Sequence, residues 1–88
     1  RPSVVTADVA LHAVRDRDLI DVIVDSPKER EWILSLLQGG KTIASQDIVV
    51  RPDSPFRAQY RALSGNSANR VNVRIMDADG KVVASCDV

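Results

Sequence analysis

The sequence predicts an all-β protein, namely an immunoglobulin-like β-sandwich of about seven antiparallel strands. Apolar and polar residues alternate with the period of a half-buried strand through most of the chain. Turn signals recur about every 8 to 15 residues, a spacing typical of the short strands in a sandwich. The chain has 88 residues, 44% hydrophobic and 27% charged, which is ordinary for one soluble globular domain. We therefore expect residues 1–88 to form a single immunoglobulin-like domain.

Two strands are predicted in the N-terminal part of the chain. The run VVTADVALHAV (residues 4–14) alternates as one continuous strand. Its predicted inward positions are Val5, Ala7, Val9 and Leu11. The run DLIDVIVDSP (residues 18–27) ends at a proline, and its predicted inward positions are Ile20, Val22 and Val24. Aspartates occupy the opposite face of this second run, which is typical of a strand with one face in water.

The segment SPKEREWILSLLQGG (residues 26–40) carries signals for two different structures. Ser26 and Pro27 resemble the start of a helix, Glu29 a capping-box partner, and Gly39 a helix stop. The apolar residues of WILSLL would, however, surround a helix almost completely and leave it no polar face. We therefore predict a strand over residues 31–38, with Trp32 in the core on the third strand of the sandwich. A helix at residues 29–37 would contradict both the fold prediction and the family resemblance described below.

The C-terminal half contains four further predicted strands. The first is a short run at residues 48–51, which Pro52 stops. The second and third are FRAQYRALS (residues 56–64) and RVNVRIM (residues 70–76), joined by the polar connection SGNSAN (residues 64–69). Asp79 and Gly80 are a strong hairpin signal, because glycine accepts the positive φ of a tight turn. The hairpin leads into the last strand, KVVASCDV (residues 81–88).

The sequence shows no set of residues suited to catalysis, so no enzyme activity, metal or cofactor is predicted. His12 is the single histidine and falls on the predicted outer face of its strand. Cys86 is the single cysteine, so an intramolecular disulfide is impossible, and it shares its predicted inward face with Val82 and Ala84. The stretch DADG (residues 77–80) resembles the opening of a calcium loop, but Lys81 occupies a ligand position. We interpret it as a hairpin turn.

Four arginines are the candidate interaction residues, because they are predicted to point outward from two strands that follow each other in the chain. These candidate client-binding residues are Arg57, Arg61, Arg70 and Arg74. They would form one basic stripe if both strands share a sheet, and two patches if the strands lie in opposite sheets. A solvated face is the alternative, as is protection against edge-to-edge strand pairing. The formal net charge is zero, so we expect no nucleic-acid partner and no membrane insertion.

The order of motifs resembles the curli amyloid-inhibitor family (CsgC/CsgH). The similar segments are WILSLLQGGK, DIVV and RALSGNSANRVNVRIMDADGKVVAS, so the resemblance covers roughly residues 19 to 86. It implies a periplasmic, immunoglobulin-like chaperone that keeps the secreted curli subunit from polymerising and catalyses no reaction. The CsgC branch carries a Cys-x-Cys pair where this chain has KERE (residues 28–31). The resemblance is therefore closer to the cysteine-free CsgH type, and no redox role is carried over.

The function that the sequence predicts is the transient binding of a partner protein. The partner would be an unfolded or early-assembling curli subunit, bound by a monomer in the periplasm. The chain begins at Arg1, and we expect a mature or excised fragment whose signal peptide has been removed. An adhesive or structural immunoglobulin-like module from a larger bacterial surface protein is the main alternative. An accessory domain that binds sugar ranks last, because such sites use exposed aromatic platforms and only 3% of this chain is aromatic.

Overall fold

The structure, a computed structural model, describes residues 3–63 and 69–88, and every regular element within these ranges is a β-strand. The strands form two antiparallel sheets of four strands each, which confirms the all-β sandwich predicted from the alternation. The first sheet has the order β1-β2-β3-β6 and the second the order β5-β4-β7-β8. The strands are β1 (Ser3–Val5), β2 (Ala10–Asp16), β3 (Leu19–Asp25), β4 (Arg30–Gln38), β5 (Lys41–Val50), β6 (Phe56–Arg61), β7 (Val71–Met76) and β8 (Val82–Asp87).

The connections between the sheets give the sandwich its immunoglobulin-like topology. The chain changes sheet after β3, after β5 and after β6, so that β3 pairs with β6 and β4 pairs with β7. In immunoglobulin domains, strands A, B and E share one sheet and strands C, F and G share the other. The first sheet contains the counterparts of strands A, B and E, which are β2, β3 and β6; β1 is an additional strand beside β2. The second sheet contains the counterparts of C, F and G, which are β4, β7 and β8. β5 takes the place of the C′ strand.

The segment with conflicting signals is a strand, as predicted. It forms β4, which lies in the second sheet between β5 and β7. Trp32 is 7% exposed in the core, at the position of the buried tryptophan on strand C of immunoglobulin domains. Ser26 does not cap a helix: its hydroxyl accepts a hydrogen bond from the Lys28 amide (3.3 Å) and donates one to the Lys28 carbonyl (2.6 Å). It thereby stabilises the turn between the two sheets.

Gly39, which resembled a helix stop, forms the turn of a hairpin together with Gly40. Gly39 and Gly40 have φ values of 59° and 77°, and they connect the paired residues Gln38 and Lys41. Positive φ at both central residues defines a type I′ turn, whose twist matches that of the two flanking strands. The turn therefore determines where β5 starts relative to β4.

The predicted Asp-Gly hairpin joins β7 to β8. The Gly80 amide donates to the Asp77 carbonyl (3.0 Å), and Gly80 has a φ of 82°. The Asp77 carboxylate accepts hydrogen bonds from the amides of Asp79 and Lys81, both at 2.9 Å, through one oxygen, Oδ1. This arrangement is a type I turn followed by a left-handed glycine. The carboxylate thus stabilises the turn, in agreement with the interpretation of DADG as a hairpin.

The prediction of one continuous strand at residues 4–14 was wrong. The Thr6 hydroxyl accepts hydrogen bonds from the amides of Asp8 and Val9, both at 3.2 Å, and forms a turn that separates β1 from β2. The sandwich consequently has eight strands rather than about seven. Val5 is 70% exposed instead of facing inward, and Ala7 is also exposed.

Both edge strands of the second sheet also differ from the prediction. β5 starts at Lys41 rather than at residue 48, and its register with β4 shifts so that Ile43 has no partner there. In β8 the register with β7 shifts around Val83, and Val82 is 44% exposed rather than on the buried face of Ala84. The polar connection predicted at residues 64–69 lies, except for Asn69, outside the described residues.

The core consists of the inward side chains of both sheets. Aliphatic residues fill it, and Trp32 is the one aromatic residue among those that are buried in the described part of the chain. Phe56 and Tyr60 are only partly buried at its margin. The largest side chains with less than 2% exposure are Leu11, Ile20, Leu34, Leu36 and Ile75.

Candidate interaction surface

The four candidate arginines form two patches on opposite sheets rather than one stripe. Arg57 and Arg61 lie in β6, in the first sheet. Arg74 lies in β7, in the second sheet, and Arg70 directly precedes that strand. Because β6 and β7 belong to different layers, the two pairs face opposite sides of the sandwich. We call Arg57 and Arg61 the β6 pair, and Arg70 and Arg74 the β7 pair.

The β6 pair lies on an edge strand whose inner face packs against the core. Arg57 and Arg61 are exposed, whereas Phe56, Ala58 and Tyr60 between and beside them are partly buried. The two arginines are about 13 Å apart along the strand, because each residue advances about 3.3 Å. Among residues 3–63 and 69–88, β6 pairs only with β3, so its other side is a sheet edge whose backbone groups no described strand occupies.

The charges near the β6 pair leave its guanidinium groups accessible. The nearest oxygen of the Asp18 carboxylate lies 3.7 Å from the Arg61 guanidinium, whose side chain is 70% exposed, so this pair contributes little to stability. Within the described residues, Arg57 forms no ion pair. Gln59, between the two arginines, donates a hydrogen bond to the Asp21 carboxylate at 3.0 Å. Both guanidinium groups can therefore bind acceptors on another chain.

The β7 pair lies in a different setting, because β7 already pairs with strands on both sides. β4 and β8 use its backbone groups, so only side chains are available there. Arg74 is partly buried, and its Nε donates a hydrogen bond to the Asn72 side chain (2.9 Å). The Asn72 amide in turn donates to Ser85 (2.8 Å) and to Asp87 (2.9 Å). This network connects Arg74 to its own sheet.

The four sheet edges formed by the described strands differ in their suitability for an additional strand. β1 has only three residues. β5 and β8 contain bulges at Ile43 and Val83, where the register with the neighbouring strand shifts. Bulges twist a strand and interrupt its hydrogen-bond ladder. Of these edges, β6 alone combines more than three residues with an unbroken register.

Three hydrogen bonds hold the C-terminal end of β6 in place. The Tyr60 hydroxyl donates to the Gln46 side chain (2.5 Å) and so connects β6 to β5 in the opposite sheet. Burial raises the pKa of Tyr60, so the hydroxyl stays protonated and able to donate at neutral pH. After β6, the amides of Ala62 and Leu63 donate to the Asp18 carbonyl (2.7 Å) and the buried Gln38 side chain (2.8 Å). β6 is thus held in place while its outer edge is open.

His12 and Cys86 take part in local structure. His12 Nδ1 lies 2.8 Å from the Ser3 hydroxyl, across the pairing of β1 with β2. Cys86 is partly buried, and this burial, followed by the charge of Asp87, raises the pKa of its thiol, which keeps the nucleophilic thiolate scarce at neutral pH. Within residues 3–63 and 69–88, no three His, Cys, Asp or Glu side chains are placed to hold a metal ion.

A cleft at one end of the sandwich is a feature that the sequence analysis missed. It has a volume of about 430 Å³ and lies where the turn at residues 6–9, the start of β4 and the β7–β8 hairpin meet. Arg30 and Trp32 of β4 contribute to its wall. The sequence did contain an indication that Arg30 lies beside Trp32. The two residues are two positions apart, and positions i and i+2 of a strand share a face. Arg30 therefore points toward the inner side of its sheet.

Comparisons with protein families, with curated proteins and with solved structures found no match to this chain. The resemblance to the curli inhibitors consequently depends on the sequence motifs alone. In the part of the chain that the structure describes, no helix has the length and hydropathy needed to cross a membrane.

Proposed function

We propose that this chain is a periplasmic, chaperone-like inhibitor that binds an unfolded or early-assembling curli subunit transiently and without a chemical step. The motif order shared with the curli inhibitors supports this identity of the client. The observation that carries the proposal is the β6 edge, a regular strand of six residues with the β6 pair pointing outward. An edge of this kind suits an extended segment, and segments of an amyloid subunit become extended strands when they assemble.

The β6 edge offers two kinds of contact to such a client. Its free backbone groups can form a short ladder with an extended segment, as in other cases of strand addition. Arg57 and Arg61 can then donate charge-assisted hydrogen bonds to carboxylate or amide oxygens of that segment. Because neither contact requires a defined client side-chain sequence, the edge can act on an ensemble of unfolded chains.

The same edge limits the lifetime of the complex and prevents the inhibitor from joining a fibril. A contact along only six residues is small, and small interfaces dissociate quickly. Amyloid growth requires flat strands stacked in register, whereas β6 belongs to the twisted sheet of a sandwich. The bulges at Ile43 and Val83 and the short β1 make the other described edges unsuitable for growth.

The experiment compares the two arginine pairs in an assay of curli subunit polymerisation followed by thioflavin fluorescence. The wild type, added well below the subunit concentration, is expected to lengthen the lag phase. The double variant Arg57→Ser/Arg61→Ser is expected to lose most of this effect, because it removes the donors at the free edge. The matched control, Arg70→Ser/Arg74→Ser, removes the same number of charges from the opposite sheet and is expected to retain inhibition.

Two outcomes would contradict the proposal in different ways. A wild type that leaves the lag phase unchanged at equimolar ratio would exclude the inhibitor function and favour the adhesive or structural module. Full inhibition by a folded Arg57→Ser/Arg61→Ser variant would exclude the β6 pair from the mechanism. Circular dichroism and urea unfolding of each variant show whether the fold is intact.

A further inference from the structure

The first sheet ends where immunoglobulin domains have one more strand. In those domains strand D borders strand E, whereas among the described strands nothing lies beyond β6, the counterpart of E. The chain passes from β5 to β6 through residues 51–55, where the backbones of Arg51 and Ser54 bond to each other at 3.0 and 3.3 Å. This tight turn leaves no residues for a strand between β5 and β6. The connection therefore supplies no strand D, although variable-type domains have both C′ and D.

The backbone groups at the free edge of β6 belong to alternate residues. The Ala62 amide donates to the Asp18 carbonyl at 2.7 Å, so the backbone groups of Ala62 are directed at β3. The register of β6 with β3 is unbroken up to this point. Successive residues of a strand direct their backbone groups to opposite sides, so every second residue before Ala62 also bonds to β3. The residues between them direct their amides and carbonyls toward the position of strand D: Arg57, Gln59 and Arg61.

The inward side chains of β6 are covered less completely than those of β3 beside it. The inward residues of β3 are at most 1% exposed, namely Ile20, Val22 and Val24. Their cross-strand partners in β6 are only partly buried, namely Tyr60, Ala58 and Phe56. Side chains that face each other across neighbouring strands are in contact, so a strand beside β6 would cover these three residues. Apolar burial would then add to the backbone pairing.

The outward side chains of β6 select for charge. Every strand pair in the two described sheets is antiparallel, and this pairing is the more stable one, so we consider an antiparallel addition. The residues opposite Arg57 and Arg61 are then four positions apart on the outer face. Among residues 3–63 and 69–88, Arg57 forms no ion pair, and Arg61 lies 3.7 Å from a carboxylate oxygen of Asp18. Acidic side chains at both positions are complementary to these guanidinium groups, and basic ones are repelled.

We propose that the client supplies the strand at the position of D, through an extended segment that matches the six residues of β6 in antiparallel pairing. The backbone of this segment bonds to Arg57, Gln59 and Arg61. Acidic side chains at its first and fifth positions contact Arg61 and Arg57, and apolar side chains at its second, fourth and sixth positions pack on the inward side of β6. Backbone pairing alone admits many sequences, so this pattern decides which segments bind most tightly. The inference rests on the proposed function for the identity of the partner.

The test uses a peptide with this pattern, acetyl-Glu-Val-Thr-Val-Glu-Val-amide, and follows the backbone amides of the full chain by NMR. Saturable shifts with a Kd of about 1 mM are expected. Near saturation, the amides of Arg57, Gln59 and Arg61 are expected to exchange with solvent at least about threefold more slowly. The amides of Ala58 and Tyr60 already bond to β3 and are expected to change little, so they are an internal control.

Modified peptides separate the backbone pairing from the charges. N-methylation of the threonine, whose N–H faces Gln59, is expected to weaken binding at least about tenfold, because it removes a donor of the ladder. N-methylation of the following valine, whose N–H faces away from β6, is expected to change binding less than about threefold. Replacing both glutamates with lysine keeps the backbone and is expected to weaken binding at least about tenfold.

Variants of the chain test the same contact from the other side. Arg57→Ser/Arg61→Ser is expected to weaken the glutamate peptide at least about tenfold. The matched control, Arg70→Ser/Arg74→Ser, is expected to bind it like the wild type. Shifts without slower exchange at the three edge amides, reversed or equal sensitivity to the two N-methylations, or equal binding of the lysine peptide would each overturn the proposal.

This test and the polymerisation assay fail separately. If the peptide protects the edge amides but the wild type leaves the lag phase unchanged, the site at the position of strand D is supported and the inhibitor function is rejected. If the wild type lengthens the lag phase but the peptide gives no protection of these amides, the site is overturned and the inhibitor function stands.

Discussion

The two edge strands on one side of the sandwich, β5 and β6, are protected against unwanted pairing in different ways. β5 has ten residues, a bulge at Ile43, and two inward side chains near its end that are buried almost completely, Ile48 at 3% and Val50 at 0% exposure. β6 has six residues, an unbroken register, and inward side chains that are only partly buried. The longer strand β5, which has buried inward side chains, thus has an edge distorted by a bulge. The shorter strand β6 has a regular edge with exposed arginines.

This difference shows how an edge can be protected and still bind a partner. A bulge disrupts the ladder itself, so it excludes productive partners together with harmful ones. Charge and short length leave the ladder intact and only limit how strongly and how long a strand is held. In our proposal, β5 therefore holds the sandwich together and β6 binds the client. The Tyr60–Gln46 hydrogen bond connects the two.

The largest expected effect comes from breaking the attachment of β5 to the core. Ile48→Ala removes a side chain that is 3% exposed and is expected to lower the free energy of unfolding by about 2–5 kcal/mol, because it leaves a cavity. Val49→Ala, at the next position, is the control, since Val49 is 43% exposed and its loss is expected to cost under about 1 kcal/mol. Urea unfolding measures both. Equal losses would show that the inward face of β5 does not hold the strand.

An intermediate effect is expected at the turn that positions β5. Gly40→Ala forces a residue with a Cβ into a φ of 77° and is expected to cost about 1–2 kcal/mol. An added Cβ would meet no atom within 4 Å, so the cost arises from the backbone conformation alone. Gly40→Asn should retain most of the stability, because asparagine tolerates this conformation better. Thermal unfolding that ranks alanine equal to glycine would contradict the assigned type I′ turn.

The smallest effect concerns the connection between the two edges. Tyr60→Phe removes the hydrogen bond to Gln46 and is expected to cost about 1 kcal/mol at neutral pH. Burial raises the folded-state pKa of Tyr60 above its usual 10.0, so its contribution is complete below that pH and is lost as pH rises through the raised value. The stability difference between wild type and Tyr60→Phe should therefore shrink at alkaline pH. Cys86 titrates in both proteins, so it cancels, and a difference that grows with pH would contradict this prediction.

The alternation of residues determined most of the strands and the side each one buries. The inward residues of β3 were predicted correctly because a strand has a period of two, which the local sequence contains. The same argument placed Trp32 in the core and Arg57, Arg61 and Arg74 on the outer face of their strands. It failed at residues 6–9, where the Thr6 hydroxyl bonds to backbone amides and interrupts an otherwise continuous pattern. Local hydrogen bonding outweighed periodicity there.

Only the tertiary structure decided which outward residues lie together. The arginine pairs are separated because β6 joins β3 and β7 joins β4, and these pairings connect segments far apart in the chain. Nothing in the period of a single strand indicates its sheet or its neighbour. The bulges at Ile43 and Val83 and the end cleft have the same origin, since each depends on how separate segments meet. The sequence by itself therefore determined the strands and their inner faces, and long-range pairing decided the surfaces available for binding.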